Sequence, residues 1–158
     1  MATIKLKTII KAPTQRCFEL SISIDLHKIS ASKTKEEAID GVINGLIFLN
    51  ETVTWRAKHF GFWHKMKVKI TAYNKPNYFV DEMISGPFKL MKHRHEFREV
   101  NNATIMIDEF EFASPVGFIG KIIDALFLKK YMMNFLIDRN KIIKEYAESD
   151  KWYNVINP

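Results

Sequence analysis

The sequence predicts an α+β domain in which a curved antiparallel sheet of about six to seven strands wraps one long C-terminal helix, with two short helices after the first strand. Three observations carry this expectation. Across residues 115–148, Phe118, Ile119, Ile122, Ile123, Leu126, Phe127, Met133, Leu136, Ile143 and Tyr146 recur at steps of three and four. Lys121, Asp124, Lys129, Lys130, Asp138, Lys141, Lys144 and Glu145 fill the gaps, which is the period of an amphipathic helix. Across residues 51–113, apolar and polar residues alternate in runs separated by Gly, Pro and Asn, the period of half-buried strands. Finally, residues 125–137 are apolar nearly all round, with Leu128, Tyr131 and Met132 forming a second stripe. One flat packing contact does not cover that much apolar surface, so a sheet must grip the helix or leave a cavity beside it.

The elements follow in order. Residues 3–10 set Ile4, Leu6, Thr8 and Ile10 on one side and Lys5, Lys7 and Ile9 on the other, a strand. Ala12-Pro13-Thr14 ends it, and Pro13 or Thr14 opens a short helix carrying Cys17, Phe18 and Leu20. Residues 23–27 read as a second helical piece or a turn, and a short strand is expected near 28–33. Residues 34–50 form a connection with Gly41 and Gly45; its apolar cluster, Val42, Ile43, Leu46, Ile47, Phe48 and Leu49, fits either a helical turn or a mobile flap. Strands then span 51–60, 62–73, 78–85, 88–100 and 103–113, with turns at Gly61, 74–77, Gly86-Pro87 and Asn101-Asn102. Ser114-Pro115, Gly117 and Gly120 punctuate the start of the helix. The domain is expected over residues 1–148, with 149–158 a polar tail.

Hairpin length fixes which residues face each other. A two-residue Asn101-Asn102 turn sets Phe97 opposite Met106, His95 opposite Asp108 and His93 opposite Phe110, and leaves Arg94 with Glu109 and Lys92 with Glu111 as exposed ion pairs. An even turn at Lys75-Pro76 sets Ala72, Ile70 and Val68 beside Phe79, Asp81 and Met83. A Gly61-Phe62 turn sets Val53, Trp55 and Ala57 beside Ile70, Val68 and Met66. The concave face is then apolar and rich in Met and Phe, with four polar residues on it: Asp81, His93, His95 and Asp108. A three-residue turn at Gly86-Pro87-Phe88 makes two adjacent dyads of them, and a two-residue turn brings Glu82 inward instead.

At 158 residues, 47% apolar and 13% aromatic, the chain has ample material for one core. No apolar leader opens it and no window approaches the roughly 18 uninterrupted apolar residues of a spanning helix, so a soluble, cytoplasmic protein is expected. The lone Cys17 excludes an internal disulfide and a cysteine zinc cage. The net charge of +6 is dispersed among acids, which predicts a mildly basic solvated surface and no nucleic-acid partner, while allowing transient contact with a membrane surface. Glycine-rich phosphate loops, nucleophile elbows and zinc-protease helices are missing, so nucleotide-driven and hydrolytic chemistry lack support. No cofactor is expected. Two His and two Asp spread over three strands match no metal-ligand motif, so no metal is expected either.

Three stretches carry a family resemblance: residues 51–61 (Glu-Thr-Val-Thr-Trp-Arg-Ala-Lys-His-Phe-Gly), Asp81-Glu82 with Gly86-Pro87-Phe88, and His93-Arg94-His95-Glu96-Phe97. With the element order, they resemble the START-related, birch-pollen-allergen-like SRPBCC superfamily, in its bacterial polyketide cyclase-like branch. The resemblance implies a helix-grip fold and covers most of residues 3–144; its members range from lipid and quinone carriers to cyclases. The expected function is therefore binding of an apolar small molecule (lipid, quinone or polyketide-like) between sheet and helix. The walls would be Trp55, Met66, Val68, Phe79, Met83, Phe97, Met106 and Phe110, with Ile123, Leu126, Phe127, Tyr131 and Phe135 from the helix. The alternative is a cyclase or dehydratase in which His95 with Asp108, and His93 with Asp81, move protons on a poly-keto substrate. A third reading is an interaction partner without a cavity. In the plainest reading, the four polar residues only satisfy one another and fix the strand register.

Overall fold

Alternation at the N-terminus turns Ile4 and Ile10 into the core and Lys5 into solvent, and the resulting strand, β1 (Ala2–Ile10), is one edge of a seven-stranded antiparallel sheet. The computed structural model describes residues 1–114, 117, 119, 122 and 124–157. After β1 come α1 (Thr14–Ser21) and α2 (Ile24–Ser30), a 3-10 turn at Ser32–Thr34, and then β2 (Glu37–Gly41), β3 (Thr52–His59), β4 (Phe62–Asn74), β5 (Tyr78–Ser85), β6 (Leu90–Val100) and β7 (Ala103–Ala113). A π-helical turn, Asp124–Leu128, leads into the long helix α3 (Lys129–Ala147), and α4 (Lys151–Ile156) follows. The sheet order is β1-β7-β6-β5-β4-β3-β2. This is the helix-grip arrangement expected. The beginning of the helical stretch lies partly outside the described residues.

Three local expectations are corrected. Residues near 28–33 are not a strand: Ser23, whose hydroxyl accepts from the Leu26 amide at 3.1 Å, caps α2 there, and the strand is β2 instead. The β3–β4 turn lies at Phe60-Gly61, both with positive φ, so Trp55 faces Met66 and Val53 faces Val68. Between β4 and β5 three residues connect Asn74 to Tyr78, and a bulge between Ile70 and Ala72 then shifts the register. Ala72 therefore faces Val80, not Phe79, while Ile70 opposite Asp81 and Val68 opposite Met83 hold as expected. Residues 42–50 form no helical turn. Ile24 N–H donates to Gly45 O (2.9 Å) and Ile47 N–H to Ile22 O (3.1 Å), which straps the segment across the α1–α2 junction with Ile47 buried.

Two packing contacts position the site. Phe18 of α1 meets Tyr73, Phe79 and Phe97 edge-on at 5.2–5.5 Å and closes one end of the concave face. At its C-terminal half α3 buries Leu136, Arg139, Asn140, Ile143 and Ala147, with Leu136 and Ile143 each contributing about 1.5–3 kcal/mol of apolar burial. Lys144 Nζ donates to Ile9 O (2.6 Å), Lys11 N–H to Glu148 Oε1 (2.8 Å) and Arg16 to Ala147 O (2.9 Å), so that half is tied to β1 and α1. In the segment expected as a tail, Trp152, Val155 and Ile156 of α4 pack on the core, and Arg16 lies over the Trp152 ring at 4.3 Å.

Candidate functional site

Between the concave face, α2 and α3 lies a cavity of about 110 Å³. For scale, an engineered apolar cavity of about 150 Å³ holds benzene. Its walls are mostly aliphatic and aromatic: Trp55, Val68, Ile70, Phe79, Phe110 and Phe135 come from five elements. Three polar residues of the sheet, Asp81, His93 and His95, face it, with Arg139 from α3.

The register puts Asp81 opposite His93 and His95 opposite Asp108, yet the hydrogen bonds cross diagonally. His93 Nε2 is 2.9 Å from Asp108 Oδ1, and His95 Nε2 is 3.0 Å from Asp81 Oδ1. His95 Nδ1 also lies 3.0 Å from Asp108 Oδ1, but the approach is too oblique for a hydrogen bond. The two imidazoles are 3.7 Å apart between ring centroids, and His95 stacks on Phe79 at 4.2 Å. From α3, Asn140 Nδ2 donates to Asp108 Oδ2 at 2.6 Å, and Arg139 Nη1 stands 3.9 Å from Asp108 Oδ1 while Nη2 donates to Ser21 O. Asp108, fully buried, therefore joins the sheet to the helix.

The electrostatics follow from this packing. Burial, reinforced by the neighbouring His95, pushes His93 down to about 4, against its bond to Asp108, so the ring is neutral near pH 7. A neutral His93 donates Nε2–H to the carboxylate and keeps a lone pair on Nδ1. Burial would raise Asp108, but the bond from His93 and the close approach of His95 outweigh it and hold the carboxyl well below its ordinary range. Asp81 is lowered too: burial acts upward, and the His95 bond with the nearby rings acts downward more strongly. Asp81, His93 and His95 present donor atoms within 4.8 Å of one another, close enough for one cation to face all three. Each ring already commits Nε2 to a carboxylate, and a cation would compete with those bonds.

Trp55, Met66, Val68, Phe79, Phe110 and Phe135 line the cavity. Phe97 and Met106 do not; they are buried under α1, against Phe18 and Ser21 respectively, because α1 fills that end of the concave face. Met83 is only half-buried and lies off the cavity, beside Gly86. Leu126 and Phe127 are 76% and 58% exposed, a correction, since the π-helical turn carries them outward. Tyr131 does not line the cavity either; its hydroxyl lies 2.7 Å from His59 Nδ1. Ile123 lies outside the described residues. Cys17 is buried, its thiol raised chiefly by burial, in keeping with a packing role.

Sequence reasoning missed four polar residues around the cavity. Arg139 and Asn140 carried a readable signal: they occupy core positions of the α3 stripe between Leu136 and Ile143. His27 and Glu36, both lining the cavity, carried none, because Glu36 falls in irregular chain before β2. His27 Nε2 and Glu36 Oε2 are 3.4 Å apart, each without a hydrogen-bond partner among the described residues. Such an unsatisfied buried group costs about 1–3 kcal/mol.

No protein-family model matches this chain, and no curated protein matches it. Solved structures do. A protein from Thermus thermophilus aligns over 92% of this chain and 97% of its own at 14% identity, TM-score 0.75. The ginseng major latex-like protein from Panax ginseng aligns over 94% and 98% at 12% identity, TM-score 0.69. A START superfamily protein from Mycobacterium smegmatis aligns over 92% and 97% at 8% identity, TM-score 0.69. At these identities the likeness establishes the fold alone: the chain has a helix-grip fold like that of the START superfamily protein.

Proposed function

We propose that the protein binds a compact apolar molecule between sheet and α3, its polar end oriented by His93, His95, Asp81 and Arg139. The observation that carries this is the cavity itself, apolar over most of its wall with a few convergent polar groups. Its size favours a single-ring compound, a quinone or polyketide-like fragment, over an extended lipid chain. Around the β3–β4 turn, Phe60, Phe62, Trp63 and Phe127 are exposed, Phe60 lies 4.6 Å from Tyr131, and Lys58, Lys65, Lys129 and Lys130 are exposed around them. That lip suits transient contact with an anionic membrane surface during loading.

A cyclase or dehydratase reading draws on the two His–Asp bonds at the cavity. Against it, a ring held at about 4 is a weak general base at neutral pH, where the effective value lies near the working pH. Asp108 is also engaged on both oxygens. Binding is therefore the reading we adopt.

The test is thermal unfolding and calorimetry against single-ring quinones and aryl ketones. Saturation at a hundredfold the dissociation constant should stabilise the protein by about 2.7 kcal/mol. Val68→Phe, which fills the cavity, should keep the fold and weaken binding at least roughly tenfold, equal to about 1.4 kcal/mol. A panel that leaves the wild-type midpoint unmoved would overturn the proposal, as would undiminished binding in Val68→Phe.

A further inference from the structure

We propose that His27 and Glu36 form a second polar station of the same cavity, one that selects ligands bearing a hydroxyl or N–H donor in addition to the group met by the His93 network. The inference rests on the binding reading above. Three buried side-chain polar atoms lack a hydrogen-bond partner among the described residues: His27 Nε2, Glu36 Oε2 and His95 Nδ1. All three belong to residues lining this one cavity. Away from the cavity, buried side-chain polar groups among the described residues are satisfied; Thr104 Oγ1 donates to Ala12 O at 2.7 Å and Asn140 Nδ2 to Asp108 Oδ2 at 2.6 Å. Unmet capacity concentrated in one hollow is the mark of a site that a bound molecule completes.

The station is built rather than incidental. Glu36 has a side chain only 6% exposed, and His27 is stacked on Trp55 at 4.2 Å and 26°, with its backbone fixed in α2 behind the Ser23 cap. At 3.4 Å the two atoms face each other without a hydrogen bond, so each keeps a valence for a third partner. A carboxylate oxygen accepts, so the complementary ligand group donates: a phenol, an alcohol or an amide N–H. His27 Nε2 then accepts or donates to the same group according to tautomer. The ligand class is a ring-sized apolar body with polar groups at two separate points, such as a hydroxylated aryl ketone.

Calorimetry with 4-hydroxyacetophenone and 4-methoxyacetophenone tests this on the intact chain. The two share a carbonyl and differ in the donor, and solvation alone disfavours burying the hydroxyl, so any preference for it must come from the protein. We expect the hydroxyl compound to bind at least about tenfold tighter to the wild type. In Glu36→Leu, and in Glu36→Met as a second variant of closer shape, the two should bind within about twofold of each other. Equal binding to the wild type, or a preference that persists in both variants, overturns the station and leaves the cavity reading standing. If neither compound binds the wild type, both fall.

Discussion

At His93 the local environment has a direct consequence for pH. Its folded value of about 4 lies below the ordinary 6.5 of an unfolded chain, so between these values the unfolded state holds more protons. The stabilising contribution is complete above pH 6.5 and is lost as pH falls toward 4, an eventual loss of about 3 kcal/mol. Urea unfolding at pH 7 and pH 4.5 should show this decline, and His93→Gln should flatten it; an equal decline in the variant would refute the assignment. Asp108 adds its own loss only below the carboxylate range, outside that window. Asp108→Ala, which strands His93, Asn140 and Arg139 together, should cost about 3–5 kcal/mol at neutral pH, read as a shift in urea midpoint. That all four residues point inward was legible from two-residue alternation. Which ring bonds which carboxyl was not, because the diagonal choice depends on side-chain rotamers that period and register leave free.

At the scale of elements, β4 shows how an odd turn and a bulge combine. Tyr73 faces inward beside Phe79, and without the bulge at Ile70–Ala72 the same face would next present Thr71 where Ile70 now meets Asp81. Alternation alone gave the right partners for Ile70 and Val68 and the wrong one for Ala72, since a bulge has no period to betray it. The strand starts and ends of β5 and β7 were readable because Asn, Gly and Pro mark them; β2 was not, being short, exposed along most of its length and broken at its own bulge. Its last residue, Gly41, has φ +78°, and a Cβ there would stand 2.1 Å from Thr52 O. Gly41→Ala should therefore pull β2 from β3 at a cost of about 1–3 kcal/mol, with faster amide exchange at residues 37–41; unchanged exchange there would contradict the pairing.

Over the whole molecule, the grip of sheet on helix was legible because the apolar surplus of residues 125–137 demanded it. The surplus is resolved in two ways: Phe135 and Leu136 turn to the cavity, while Leu126 and Phe127 join an exposed aromatic lip. Periodicity could not separate these, because both lie on apolar faces and only the π-helical turn decides which face is covered. Among the described residues no helix is long and apolar enough to cross a membrane, and the membrane contact proposed above is assigned to the lip. Vesicles containing phosphatidylserine should retain the wild type at low salt and lose it as salt rises, and Phe62→Ser with Trp63→Ser should abolish retention without lowering stability; retention by the double variant would exclude the lip.

The bonds from Asn140, Lys144 and Glu148 lock one end of α3 onto β1 and β7, whereas among the described residues its opposite end meets the hairpin tip chiefly through rings and the Tyr131 hydroxyl. The helix thus resembles a clamped beam. Guest molecules should pass beneath its free end, and the clamped end should keep its shape whether a guest is aboard or not.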